Sequence, residues 1–167
     1  MPGQVFTALT PWALALEQSA AGEAIRASAW LYPLANLVHL LGLVMLLGGI
    51  GLLDLRLIGL MRGLAPAALA ARLIPIAAAG LVLMAISGGM MFAADAGPLI
   101  AHPGFRLKLL LVALAVGNAL LVHLLWRRRI AGLPDDATPP AAIRLQAAAS
   151  LLLWLWVAVE GRMIAYS

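Results

Sequence analysis

The stretch WLYPLANLVHLLGLVMLLGGIGLLDLRLIGL, residues 30–60, decides the fold. From Trp30 to Leu53 it contains no aspartate, glutamate, lysine or arginine, and its strongly polar groups are Asn36 and His39. A helix needs about 20 apolar residues to cross about 30 Å of hydrocarbon. This stretch exceeds that length, so it either tilts or projects past the interface. Three further apolar stretches follow, at residues 73–93, 107–126 and 145–165. A membrane β-barrel would need alternating segments of about ten residues, and none is present. The fold class is therefore all-α, an integral membrane four-helix bundle.

Composition points the same way. Of the 167 residues, 64% are hydrophobic and 11% charged, and the mean hydropathy is +1.02. A soluble domain would be roughly 45–50% apolar and about a quarter charged. So little polar surface cannot coat a globule in water, and the expected surroundings are a lipid bilayer. Cysteine is absent, which excludes disulfides, thiolate metal sites and cysteine nucleophiles. The net charge of +4 would suit nucleic acid in a soluble chain, but here it reports topology. No nucleic-acid partner is expected.

Residues 1–29 form a separate N-terminal segment, and residues 30–167 the bundle. The segment lacks a basic start and a clean apolar core, and Glu17 and Glu23 interrupt it, so it does not read as a signal peptide. Phe6, Leu9, Trp12, Leu14 and Leu16 can form the apolar side of a short interfacial helix. Of the 11 lysines and arginines, seven fall in or beside the two long loops: Arg56, Arg62, Arg72, Arg127, Arg128, Arg129 and Arg144. Four fall on the other side: Arg26, Arg106, Lys108 and Arg162. The positive-inside rule then puts the long loops in the cytoplasm and both termini in the periplasm of a bacterial inner membrane.

In so apolar a chain the informative residues are the ionisable and polar ones at membrane depth. They are His39, Asp54 and Arg56 on span one, Lys108, Asn118 and His123 on span three, and Glu160 and Arg162 on span four. At 1.5 Å per residue, His39 lies roughly 13 Å below the outer edge. Lys108, Glu160 and Arg162 belong to the same outer half, while Asp54, Arg56 and His123 lie toward the cytoplasmic end. His39 and His123 differ in depth by roughly 12 Å if the helices stand upright, which suits two separate sites better than one shared iron. Gly42 and Gly49 follow His39 at helical spacing. Such a groove either admits a flat macrocycle beside an axial imidazole or is a small-residue helix–helix interface. Arg162 either neutralises a haem propionate or snorkels to the headgroups, and Lys108 has the same two options. Asp54 and Arg56 are expected to pair with the basic loops or with each other. Glu160 and Arg162 point in different directions and need different partners.

Several motifs carry a resemblance. Trp30-Leu-Tyr-Pro33, His39-Leu-Leu-Gly42, Asp54-Leu-Arg-Leu57, Phe105-Arg-Leu-Lys-Leu109, Asn118 with His123, and Gly161-Arg-Met-Ile-Ala-Tyr166 resemble an uncharacterised bacterial four-span family, over about residues 24–166. The histidine in a glycine-rich first span and the lysine opening a later one are similar to HemJ-type protoporphyrinogen oxidases. That resemblance implies haem, with His39 as axial ligand and Lys108 near the pigment. The Lys-Leu-Leu-Leu run of span three resembles copper-resistance D membrane proteins.

The function expected is that of a haem b-binding membrane protein passing electrons between a quinone or partner and a periplasmic acceptor. His39 and His123 are the candidate metal ligands, with His102 or a methionine as further second ligands. Gly42, Gly49, Lys108 and Arg162 complete the expected cofactor site. The alternatives are a non-catalytic assembly component and a copper or small-solute carrier. Homo-oligomers are expected under each reading. No phosphate loop, zinc-protease helix or serine nucleophile elbow is present.

Overall fold

The computed structural model describes residues 2–166. Met1 and Ser167, which close the two segments assigned from sequence, lie outside the described residues. The helices are α1 (Pro2–Glu17), α2 (Ala20–Ala27), α3 (Leu31–Ile58), α4 (Pro66–Ala94), α5 (Ala96–Ala101), α6 (Pro103–Ala131) and α7 (Ala141–Met163), followed by a single 3-10 turn, Ile164–Tyr166. Among the described residues there is no strand. Helices α3, α4, α6 and α7 are each long and apolar enough to cross a membrane. They make the four-helix membrane bundle that residues 30–60 foretell. Leu37, Val44, Leu124 and Leu152 stand exposed on its outside, where lipid is their natural neighbour.

The chain punctuates these helices by familiar means. Gly59 ends α3 with φ of 105°, and its N–H donates to the Arg56 carbonyl. Pro66 and Pro103 sit in the first turns of α4 and α6, where a missing N–H costs nothing. The His102 side chain caps α6 by accepting from the Gly104 N–H at 3.1 Å. Two of the spans outrun the hydropathy signal. α4 starts before Arg72, and α6 continues through Arg127–Arg129, because charged residues at an interface remain good helix formers.

The N-terminal segment forms two helices where one was expected. Both pack at the α5 end of the bundle. Arg26 donates to the Ala94 carbonyl at 2.8 Å, and Glu17 accepts from the Gly97 N–H at 2.7 Å. Ala13, Ala96 and Ile100 are buried there with Phe6 against them. At the opposite, arginine-rich end, Arg56 is fully buried. It donates to the Leu64 and Asp135 carbonyls at 2.7 and 2.6 Å and so ties both long loops to α3.

Between the two ends, Leu46, Met84, Leu111, Ala115 and Trp154 form the core shared by all four spans. The closest crossing is α3 on α4. A Cβ on Gly42 would lie 2.7 Å from the Gly80 carbonyl oxygen, and one on Gly49 would lie 2.9 Å from that of Leu73. The expectation that Gly42 and Gly49 line a macrocycle groove is therefore corrected. Their missing side chains are filled by the backbone of α4, and no flat ring fits between.

Candidate functional site

The α5 half of the bundle holds a cavity of about 360 Å³ lined by residues from α3, α4, α6 and α7. His39, Lys108 and Arg162 all line it, so three of the four residues placed in the outer half by sequence come together. Glu160 does not. It accepts from Trp156 Nε1 at 3.1 Å on the bundle's outside.

His39 is held from α4. Its Nδ1 lies 3.1 Å from Ser87 Oγ, and Ser87 is buried. Ser87 Oγ in turn lies 2.6 Å from the Leu83 carbonyl, the back-bond that a serine makes inside a helix. A carbonyl only accepts, so the hydroxyl hydrogen goes to Leu83 and Oγ accepts from His39 Nδ1–H. That fixes the tautomer. With Nδ1 donating, Nε2 carries the lone pair; the Met84 backbone is a further hydrogen-bond partner of the ring. Gly88 gives the ring its room, since a Cβ there would lie 3.1 Å from His39 Cε1. The glycine that serves His39 is thus on the neighbouring span, not on its own.

Lys108 reaches the cavity past another glycine. A Cβ on Gly161 would lie 3.0 Å from Lys108 Nζ. Among the described residues Lys108 makes no hydrogen bond or ion pair. Arg162 donates to the Tyr166 hydroxyl and lies over that ring, 4.6 Å from its centroid. Phe92 and Phe105 stack at 5.4 Å and 4° in the cavity wall, where Met84 and Met91 also stand.

The remaining candidates lie elsewhere. Asn118 donates to the Gln146 carbonyl at 3.2 Å, joining α6 to α7. His123 is exposed on α6 and borders a second cavity near the arginine-rich end, which Asp54 also lines. Asp54 and Arg56 do not meet, because Arg56 turns to the loops. His102 is used as the α6 cap. Among the described residues no three of histidine, aspartate and glutamate gather as a metal site.

Two residues were invisible as site residues in sequence, Ser87 and Gly88. The run Ser87-Gly88-Gly89 reads as a packing site, and only the approach of His39 from α3 gives it a second role.

The chain belongs to a family of unknown function, DUF6644, whose model matches residues 18–167. No curated protein and no solved structure matches it.

Proposed function

We propose that this protein binds haem b in the α5-end cavity and passes electrons at the bacterial inner membrane. The observation that carries the reading is the chain Leu83–Ser87–His39, which leaves Nε2 of an intramembrane imidazole with its lone pair free. Histidine ligands that hold metals characteristically donate their other ring N–H in this way. A porphyrin brings four nitrogens of its own and needs only one or two from protein, so a single imidazole suffices where a bare ion would need several side chains. His39 would hold the iron through Nε2, with Met84 or Met91, which also line the cavity, as candidates for a second ligand. Lys108 and Arg162 are the cations available to two propionates, and the stacked Phe92 and Phe105 offer an apolar surface to a flat ring. A bound haem supplies one-electron ferric–ferrous chemistry. The electron donor would be a membrane quinol and the acceptor a partner on the periplasmic face, where the proposed topology places this cavity.

His123 is the weaker of the two histidine sites. It is exposed, and no partner fixes its ring among the described residues. Gly89 faces open space, which suits close approach of a second copy through a small residue and supports the homo-oligomer reading. The methionines beside His39 favour copper as the second reading, because thioether and imidazole suit that metal.

The test is the spectrum of detergent-purified protein from haem-replete cells. A Soret band that is present in the wild type and absent in His39→Ala is the expected result. A colourless wild type overturns the proposal, and bound copper without porphyrin would favour the second reading.

A further inference from the structure

The second cavity, about 410 Å³, lies between α3, α4, α6 and α7 near the arginine-rich end, and its lining is mostly alanine and aliphatic. The polar residues on it are Asp54, His123, Arg127 and Ser150. Asp54 is 4% exposed and hydrogen-bonds Ser150, while its Oδ2 has no hydrogen-bond partner among the described residues. A carboxyl oxygen shut away from water without a donor is costly, so a donor from outside the chain would satisfy it. A second acceptor stands on another wall. Pro75 lies inside α4 and has no N–H, which leaves the Ala71 carbonyl without its helical donor. Both residues line the cavity.

Ala71, Ile74 and Pro75 on α4 and His123 on α6 are exposed on the bundle surface, so the cavity opens sideways toward lipid. The occupant must therefore be lipid-soluble. A cation is disfavoured by Arg127, which lines the cavity. An anionic headgroup is disfavoured by Asp54 itself. A neutral head with hydroxyl donors at both ends of a rigid ring fits acceptors on α3 and α4 and an imidazole on α6.

We propose that this cavity binds a lipid-soluble quinol, one hydroxyl donating to Asp54 Oδ2 and the other directed to His123. The assignment deepens the electron-transfer reading above by giving the donor a place. It is a binding claim, and it can fail separately from the haem claim.

The experiment measures equilibrium binding of decylubiquinol, and of its bis-O-methyl ether, to the full-length protein in nanodiscs. The ether keeps the ring and tail but has no donor. The expected result is saturable quinol binding about tenfold or more tighter than the ether, the worth of one hydrogen bond to a buried acceptor. Asp54→Leu is expected to erase that preference, and Ala70→Phe, which fills the cavity from α4, to weaken both ligands. If Asp54→Leu does not fold, Asp54→Asn keeps the shape and is expected to lose most of the preference. Equal binding of quinol and ether overturns the proposal, as does no saturable quinol binding, or a preference that survives at position 54. Displacement of the quinol by phosphatidylglycerol at equal mole fraction would assign the cavity to a phospholipid instead. Quinol binding without a Soret band would sink the haem reading alone.

Discussion

A serine hydroxyl has one hydrogen to give, and at Ser87 the Leu83 carbonyl at 2.6 Å takes it. The setting of His39 follows from that allocation, with the Met84 backbone as a further partner of the ring. The imidazole must donate through Nδ1, its ring plane is set from α4, and Nε2 is left basic. Ser87→Ala removes the acceptor without touching the cavity's other walls. The ring can then rotate or take the other tautomer, which puts a proton where the lone pair was. Loss of such an outer partner typically lowers metal affinity about 10–100-fold. Haem titration into the apo-protein is expected to show a weakening of that order, with a Soret band still reached at excess haem. A Ser87→Ala protein that binds haem as tightly as wild type would mean that the serine only packs. The same variant tests the structural alternative, because a histidine that merely ties two helices together would show its loss in melting temperature and not in colour.

At the level of helices, the crossing of α3 on α4 is set by absent side chains. The atom nearest a Cβ on Gly42 is a backbone carbonyl oxygen at 2.7 Å, which cannot swing aside as a side-chain tip can. Gly42→Ala therefore forces the helices apart, at a cost of about 1–3 kcal/mol by analogy with overpacked cores. Gly48, about a third of a turn from that seam and facing open space, is the control. There an added methyl gains helix propensity of up to about 1 kcal/mol. Thermal unfolding in one detergent is expected to rank Gly48→Ala at or above wild type and Gly42→Ala clearly below it. These glycines also mark how far the sequence can be read. Four spans are legible because hydropathy is a property of single segments, and residues 30–60 alone announce a membrane helix. The helix ends are less legible, since Arg72 and Arg127–Arg129 lower hydropathy without stopping the helix. Glycine spacing shows that something comes close to α3 but not what. A macrocycle and the backbone of α4 demand the same missing Cβ at Gly42 and Gly49. Ser87 stayed hidden for a related reason, because its partner lies on another span and no local pattern links the two.

Taken as a whole, the molecule has two unlike ends, and their charges argue for its orientation more strongly than the raw count of seven against four. Arg56 is buried and committed to loop carbonyls, so it acts as a clamp; setting it aside leaves six against four. On the α5 end, however, Arg26 is bound to the Ala94 carbonyl. Arg106 donates to the Ile100 carbonyl at 2.7 Å and lies over Phe6. These two are held in structure; at the loop end Arg129 lies over Trp126 and Arg144 donates to the Ile58 carbonyl, while Arg62, Arg127 and Arg128 are left without such a partner among the described residues. The free positive charge is therefore concentrated at the loop end, which retention on the cytoplasmic side would favour. The absence of cysteine makes the test clean, since any thiol introduced is the only one. Asp136 lies exposed in the α6–α7 loop and Glu23 lies exposed on α2. With an impermeant maleimide, Glu23→Cys is expected to label in intact spheroplasts and Asp136→Cys only after lysis. The reverse pattern would turn the molecule over. The His39 cavity would then face the cytoplasm, the acceptor would have to be sought there, and the quinol cavity would lie in the periplasmic half.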